Sequence, residues 1–478
     1  MSTDSPRAFL IGSEWIRTSH TEPVCNPYDQ HVLAQVCQAG EPEISQVLQS
    51  TSAASTHLRS FPAHARAKGL HHIADSLQRR REEFAKTISE EAGKPISDAR
   101  REVDRAIQTF LIASEETTRI PGEIIPMDRQ AGMEHYTGIL RRFPIGPVLG
   151  ITPFNFPLNL VAHKVAPSLA AGNPIVIKPA PQTPLTALLL GEVIVQSDFP
   201  AGSINVIPCH NDLAESLVQD DGFQALSFTG SAAVGWMLKV KAGKKRVLLE
   251  LGGNAGVIIE PDADVDLAVQ RCVTGGFSYA GQTCISVQRV YVHESMYDSV
   301  VEKFLSRVRD VVVGDPARDE TVVGPLIDEP AAQRVESWIN EAVTQGATIR
   351  SGGTRQGSIV SPTVLTDVES HMTVSCQEVF GPVVTVTPYR QFEDAVQQLN
   401  DSSYGLQAGV FTQNIQKIFH AFEQLDVGAV LANEIPTFRA DHMPYGGIKD
   451  SGLGREGVKY AIQELMEPKL LVLNTPPS

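Results

Sequence analysis

Val148-Leu149-Gly150-Ile151, then Leu158 to Ala170, then Ile175-Val176-Ile177-Lys178: a short apolar strand, a helix of about a dozen residues, a second apolar strand. The unit repeats. Thr183 to Val195 reads as a helix that Gln182 or Thr183 can cap, Ile204-Asn205-Val206-Ile207 as a strand, and Asp212 to Gln219 as a helix. Ala225-Leu226-Ser227-Phe228 is the next strand, Ser231 to Val240 the next helix, and Val247-Leu248-Leu249 closes the series. Strands covered by helices on both faces are continuously apolar, and strands joined through helices run parallel. The fold class is therefore α/β with a doubly wound sheet. Ligands are expected beyond the carboxyl ends of its strands.

Outward from this series the pattern changes on both sides. Residues from about 41 to 119 read as helices: Ile44, Val47 and Leu48 recur at helical spacing, Ala63 to Ala92 is helical until Gly93-Lys94-Pro95 closes it, and Ile96 to Ser114 follows. From Gly122 to Phe143 short alternating runs such as Tyr136-Thr137-Gly138-Ile139-Leu140-Arg141 predict a polar hairpin. Downstream, a second α/β series runs from Val257-Ile258-Ile259 to about Asn433. It takes in Val290-Tyr291-Val292, the helices Met296 to Asp310 and Ala331 to Gln345, Val383 to Val386, the helix Phe392 to Asn400, and Val427 to Leu431. The final run Lys469 to Leu473 is strand-like and could pair with the hairpin or with another subunit.

The chain has 478 residues, 42% hydrophobic and 20% charged, enough for one large domain or two to three ordinary ones. A formal net charge of −15 argues against nucleic acid or an anionic membrane as partner. It leaves room for a phosphate-bearing cofactor held locally by backbone N–H groups. The N-terminus lacks a basic region followed by an apolar core, and no window approaches about 18 uninterrupted apolar residues, so a cytoplasmic protein is expected. Six cysteines with no Cys-x-x-Cys pair read as reduced thiols, and the histidines show no metal-ligand spacing.

Against this background a few residues stand out chemically. Cys284 lies in Phe277-Ser278-Tyr279-Ala280-Gly281-Gln282-Thr283-Cys284-Ile285-Ser286, among small and polar neighbours where a thiolate could be reached. Glu250 ends an apolar strand and precedes Gly252 and Gly253, a partly desolvated setting that raises a carboxyl toward general-base range. Asn155 sits in the proline-stiffened turn Thr152 to Pro157, where its amide could donate to an oxyanion. Gly230 and Ser231 join a strand to a helix N-terminus suited to a pyrophosphate, and Lys178 ends a strand where it could hold a ribose or phosphate. Gly452-Leu453-Gly454-Arg455-Glu456-Gly457 matches the spacing of a dinucleotide fingerprint, but no apolar strand precedes it. It reads as a flexible glycine-rich crossover instead.

Together these segments resemble the aldehyde dehydrogenase superfamily over essentially the whole chain. The most specific stretches are Thr152 to Pro157, Glu250 to Asn254, Gly281 to Ser286, Glu378-Val379-Phe380-Gly381-Pro382 and Pro444 to Gly457. The resemblance implies a Rossmann-like dinucleotide-binding domain (1–120 and 144–250), a second α/β catalytic domain (251–440) and a small β oligomerisation element (121–143 and 456–478). It implies Cys284 as nucleophile, Glu250 as general base and Asn155 as oxyanion donor, acting through a thiohemiacetal and a thioester on a small aldehyde. Thr152, Pro153, Phe154, Lys178, Gly230, Ser231, Glu378 and Phe380 would hold NAD or NADP, and a homodimer or homotetramer is implied. Many NAD-preferring members carry Glu three residues after the lysine matching Lys178; here Pro181 stands there, so NADP use is open. Members acting on phosphorylated or phosphonate aldehydes often carry Arg just before the nucleophile; here Thr283 stands there, which argues against a strongly anionic substrate, while Arg105 and Arg439 leave room for a carboxylate- or hydroxyl-bearing aldehyde. Arg105, Phe156, Thr283 and Arg439 are the candidates for substrate contact. Retention of Glu250 favours water over coenzyme A as acyl acceptor. Cys284, Glu250 and Asn155 together argue against a non-catalytic protein on this fold.

Overall fold

The computed structural model describes residues 5–475. Its first sheet has eight strands in the order Glu14–Ile16, Phe9–Ile11, Ile204–Val206, Ile175–Lys178, Val148–Ile151, Ala225–Thr229, Arg246–Glu250, Gly452–Leu453. The five central strands are parallel, and in chain order they run 3-2-1-4-5 across the sheet. That is the doubly wound order with its switch point between Val148–Ile151 and Ala225–Thr229, where a crevice opens at the carboxyl ends. These strands are almost wholly buried because helices cover both faces, Asn159–Ala171 being buried along its entire length. The Gly452–Leu453 segment pairs antiparallel with Leu249 and Glu250, so the run read as a flexible crossover is an edge strand closing over Glu250. Tertiary pairing, not local propensity, makes it a strand.

A second, seven-stranded sheet carries Gly256–Ile259, Arg289–His293, Thr363–Thr366, Val383–Tyr389, Gln407–Phe411 and Ala429–Ala432 in parallel, with Thr348–Ser351 antiparallel at one edge. Its core is separate from that of the first sheet. Glu123–Pro126, Tyr136–Pro144 and Met466–Asn474 form a third sheet in which the last strand pairs with the hairpin of the same chain. Helix Val458–Glu464, grouped by sequence with this C-terminal element, instead buries Val458 and Ile462 in the core of the first sheet. The outermost positions of the expected segments, 1–4 and 476–478, lie outside the described residues.

Candidate active site

Helix Val265–Phe277 leads into a turn at Ser278–Gly281 where Tyr279, Ala280 and Gly281 all have positive φ, 50°, 53° and 69°. For the two non-glycine residues this costs roughly 1–2 kcal/mol each. The surroundings hold the turn regardless. Tyr279 is buried, its N–H donates to the Val322 carbonyl (3.2 Å) and its hydroxyl to that of Ala92 (3.1 Å). Gln282 accepts from the Ile327 N–H at 2.9 Å. A Cβ on Gly281 would stand 2.2 Å from the Gly381 carbonyl oxygen, so only glycine fits. Cys284 emerges half-buried from this turn with Sγ 3.0 Å from the Tyr445 hydroxyl. Burial pushes its thiol up to about 12, opposed by the Tyr445 hydrogen bond and reinforced by Glu378.

Asn155 is buried in the turn after strand Val148–Ile151, and its Nδ2 donates to the Gln282 carbonyl at 2.8 Å. One amide N–H is thereby fixed, which orients the other. Glu250, at the end of strand Arg246–Glu250, is buried, and its Oε2 has no hydrogen-bond partner among the described residues. Burial and then the charge of Glu456 raise its carboxyl well above the ordinary value. Burial works against Glu456 as well, but Lys164 (3.4 Å) and Arg439 (3.0 Å) outweigh it and keep Glu456 ionised. Two buried carboxylates thus share two cations, and the one left over is Glu250. Downstream, Gly253 lets the backbone pass Cys284: a Cβ there would lie 2.1 Å from the Cys284 carbonyl oxygen.

Glu378 is anchored by the Gly253 N–H (2.9 Å), and burial raises it to about 7. Its neighbours are clamped by Gln288, which accepts from the Val379 N–H (2.9 Å) and donates to the Gln377 carbonyl (2.7 Å). Phe380, held at φ 47°, meets the Phe154 ring edge-on at 5.9 Å. Across the cavity Ser231 caps helix Ala232–Lys241 by position, yet its hydroxyl makes no cap bond. That leaves a hydroxyl and a helix N-terminus free for an anion. Lys178 is buried, donates to Asn211 Oδ1 (3.1 Å) and meets no carboxylate among the described residues; burial depresses its ammonium. A helix N-terminus without a cap fits a phosphate of a dinucleotide, and a buried cation without a carboxylate fits a ribose or phosphate.

All the residues singled out by sequence line one cavity of about 480 Å³, except Thr152 and Lys178. Those two sit side by side at adjacent strand ends, Thr152 N–H donating to the Lys178 carbonyl at 3.2 Å. Phe156 packs edge-on against Tyr279 at 6.3 Å and lies 3.6 Å beneath the Lys94 ammonium, which is itself paired with buried Glu102. Arg105 donates to Asp441 at 2.8 Å, and Asp441 also binds His163 Nε2 at 2.8 Å. Arg439 faces Glu456 and stacks on Tyr445, 3.7 Å from its ring centroid. Sequence reasoning did not single out Tyr445, Glu456, Lys164 or Gln288. A signal existed for one: Lys164 is the one Lys, Arg, Asp or Glu in the largely apolar helix Asn159–Ala171, and it is held there by Thr229 Oγ1 at 2.7 Å.

Residues 15–471 match the Aldehyde dehydrogenase family. The chain is 41% identical to 3-sulfolactaldehyde dehydrogenase of Priestia aryabhattai over 97% of both chains. Its structure superposes on aldehyde dehydrogenase 21 from Physcomitrella patens, solved with the reaction product succinate, with a TM-score of 0.96, 43% identity and coverage of 98% of this chain and 99% of that one. It also superposes on glyceraldehyde-3-phosphate dehydrogenase from Methanocaldococcus jannaschii DSM 2661 complexed with NADP, with a TM-score of 0.92, 36% identity and coverage of 96% and 100%. The chain belongs to the aldehyde dehydrogenase family. It is an NAD(P)-dependent oxidoreductase that converts an aldehyde to the carboxylic acid.

Proposed function

We propose that this enzyme oxidises a short aldehyde bearing a second, anionic group, with Cys284, Glu250 and Asn155 as its catalytic residues. The observation that carries the substrate class is a pair of arginines, Arg101 and Arg105, one turn apart on helix Ile96–Thr117 and both lining the cavity of Cys284. Asp441 engages Arg105 through Nε and Nη2, and Asp98 engages Arg101. A guanidinium has five N–H donors, so each keeps some for a ligand. The three relatives above act on a sulfo-aldehyde, yield succinate, or act on a phosphorylated aldehyde by name, which supports an anionic substrate. Thr283 before the nucleophile adds no charge of its own, which favours a carboxylate over a more strongly charged group. Expected result: a four-carbon aldehyde with a terminal carboxylate outcompetes butanal in kcat/KM, and Arg105→Leu narrows that preference by about 10- to 100-fold. Equal discrimination in wild type and variant would refute the assignment.

In the proposed chemistry Cys284 Sγ attacks the carbonyl carbon and Asn155 Nδ2 donates to the resulting oxyanion. Pro153, Phe154, Lys178, Gly230, Ser231, Glu378 and Phe380 would hold the nicotinamide cofactor, which when bound would accept the hydride that the carbon bonded to Sγ loses as the thioester forms. Phe380 and Phe154 give an apolar wall and Glu378 a hydrogen-bonding carboxylate beside it. Glu250 then takes a proton from water as it attacks the Cys284 thioester, releasing the acid. Thr152 acts through its neighbour Lys178. With no carboxylate at Pro181 to repel a 2′-phosphate, NADP is accepted. Pro181→Glu is expected to raise KM for NADP at least about 10-fold relative to NAD, measured in paired titrations.

The first sheet with its helices forms the dinucleotide-binding domain and the second sheet the catalytic domain. The third sheet, whose last strand leaves Leu470 to Leu473 largely exposed, is the oligomerisation element. No helix among the described residues is long and apolar enough to cross a membrane.

A further inference from the structure

We propose that Tyr445 is a further catalytic residue, its phenol donating a hydrogen bond to Cys284 Sγ that stabilises the attacking thiolate. The proposal rests on Cys284 being the nucleophile. At 3.0 Å the oxygen–sulfur contact is the one side-chain hydrogen bond of Cys284 among the described residues. Tyr445 is buried and packs with Ile285 and Leu406. Its backbone is tied both ways to Glu456, N–H to carbonyl at 3.0 Å and carbonyl to N–H at 2.6 Å. The phenol is therefore preorganised and needs no movement when charge develops on sulfur.

The bond discriminates between the two states of the sulfur. With a neutral thiol either atom can donate, and the contact is weak. With a thiolate only the phenol can donate, and the bond becomes charge-assisted. A thiol is more acidic than a phenol by about 1.5 units, so sulfur ionises and the phenol remains the donor. The charges facing the pair are Arg439, which favours the thiolate, and Glu250 and Glu378, which oppose it. Arg439 lies 3.7 Å from the ring centroid, over the π system, and draws electron density from the hydroxyl. Burial raises the thiol, so a donor aimed at the sulfur supplies what the site otherwise lacks.

Tyr445→Phe keeps the ring and its stacking and removes only the hydroxyl. The rate of Cys284 alkylation by iodoacetamide is measured against pH on the full-length enzyme. Peptide mass identifies the site, and Cys284→Ala serves as blank because Cys25 and Cys376 are also half-buried thiols. The expected result is a thiolate fraction, read as the alkylation rate at each alkaline pH below the thiol's titration, about tenfold smaller than in wild type, with kcat/KM lower by about the same factor and NADPH affinity unchanged. An unchanged alkylation profile overturns the proposal. So does a parallel loss of NADPH affinity or thermal stability, which would assign Tyr445 to packing. If Cys284→Ala itself retained turnover, the nucleophile reading would fall. If Cys284→Ala is inactive and Tyr445→Phe behaves as wild type, only the role of Tyr445 falls.

Discussion

Cys284→Ala is expected to abolish formation of reduced cofactor, by at least about 10⁴-fold, while leaving NADP binding intact. The thiol forms the only covalent bond between enzyme and substrate in the proposed path, and no other cysteine lines the cavity. Burial raises the thiol, so at pH 7 only a small fraction of molecules carries a thiolate before ligands bind. The sign is fixed by that upward shift: the thiolate fraction grows with pH, and single-turnover acylation rises through the alkaline range. Removing one sulfur atom from a half-buried turn costs little packing, so thermal unfolding should barely move. Steady-state and single-turnover assays on the same preparation separate the two effects. Turnover within about tenfold of wild type would remove Cys284 from the mechanism.

What could be read from the sequence followed from burial. Parallel strands such as Val148–Ile151 and Ile175–Lys178 are covered on both faces, so their apolar runs were unmistakable, and the helices between them fell within a residue or two. Helix Val265–Phe277 escaped notice because Gly275 and Gly276 weaken its local preference. Those glycines are there for packing: a Cβ on Gly276 would lie 2.5 Å from Val384, and one on Gly275 2.7 Å from Ile435. The amino-terminal strands Thr21–Cys25 and Val32–Cys37 are short, half-exposed and interrupted by Pro23, so periodicity did not reveal them. Among site residues, Cys284, Glu250 and Asn155 announced themselves through glycines and prolines that shape the backbone around them. The contacts that tune them are long-range. Tyr445 meets Cys284 across 161 positions and Lys164 meets Glu456 across 292, and no local pattern encodes such a pairing.

Glu250→Gln is expected to split the reaction in time. In the proposed path acylation needs Cys284 and Asn155 but not Glu250, so a rapid burst of about one reduced cofactor per active site should survive. Deacylation needs a base to take a proton from water, so the steady-state rate should fall about 10²- to 10⁴-fold. Because burial and the charge of Glu456 raise the Glu250 carboxyl, the wild-type deacylation rate climbs with pH well above the ordinary carboxylate range. The variant should lose that limb, since an amide does not titrate there. Two further substitutions check the cause. Lys164→Met or Arg439→Met removes a cation that stabilises Glu456 and Glu250 alike, so the limb should move to higher pH. The stability sign runs opposite to the activity. A carboxyl whose folded pKa is raised destabilises the fold as pH rises past its unfolded value, so Glu250→Gln should unfold no earlier than wild type at pH 8. Rapid-mixing measurement of reduced cofactor reads burst and steady state together. A variant with no burst and a proportionate loss of both phases would place Glu250 before the thioester, and an unaffected steady state would remove it from catalysis altogether.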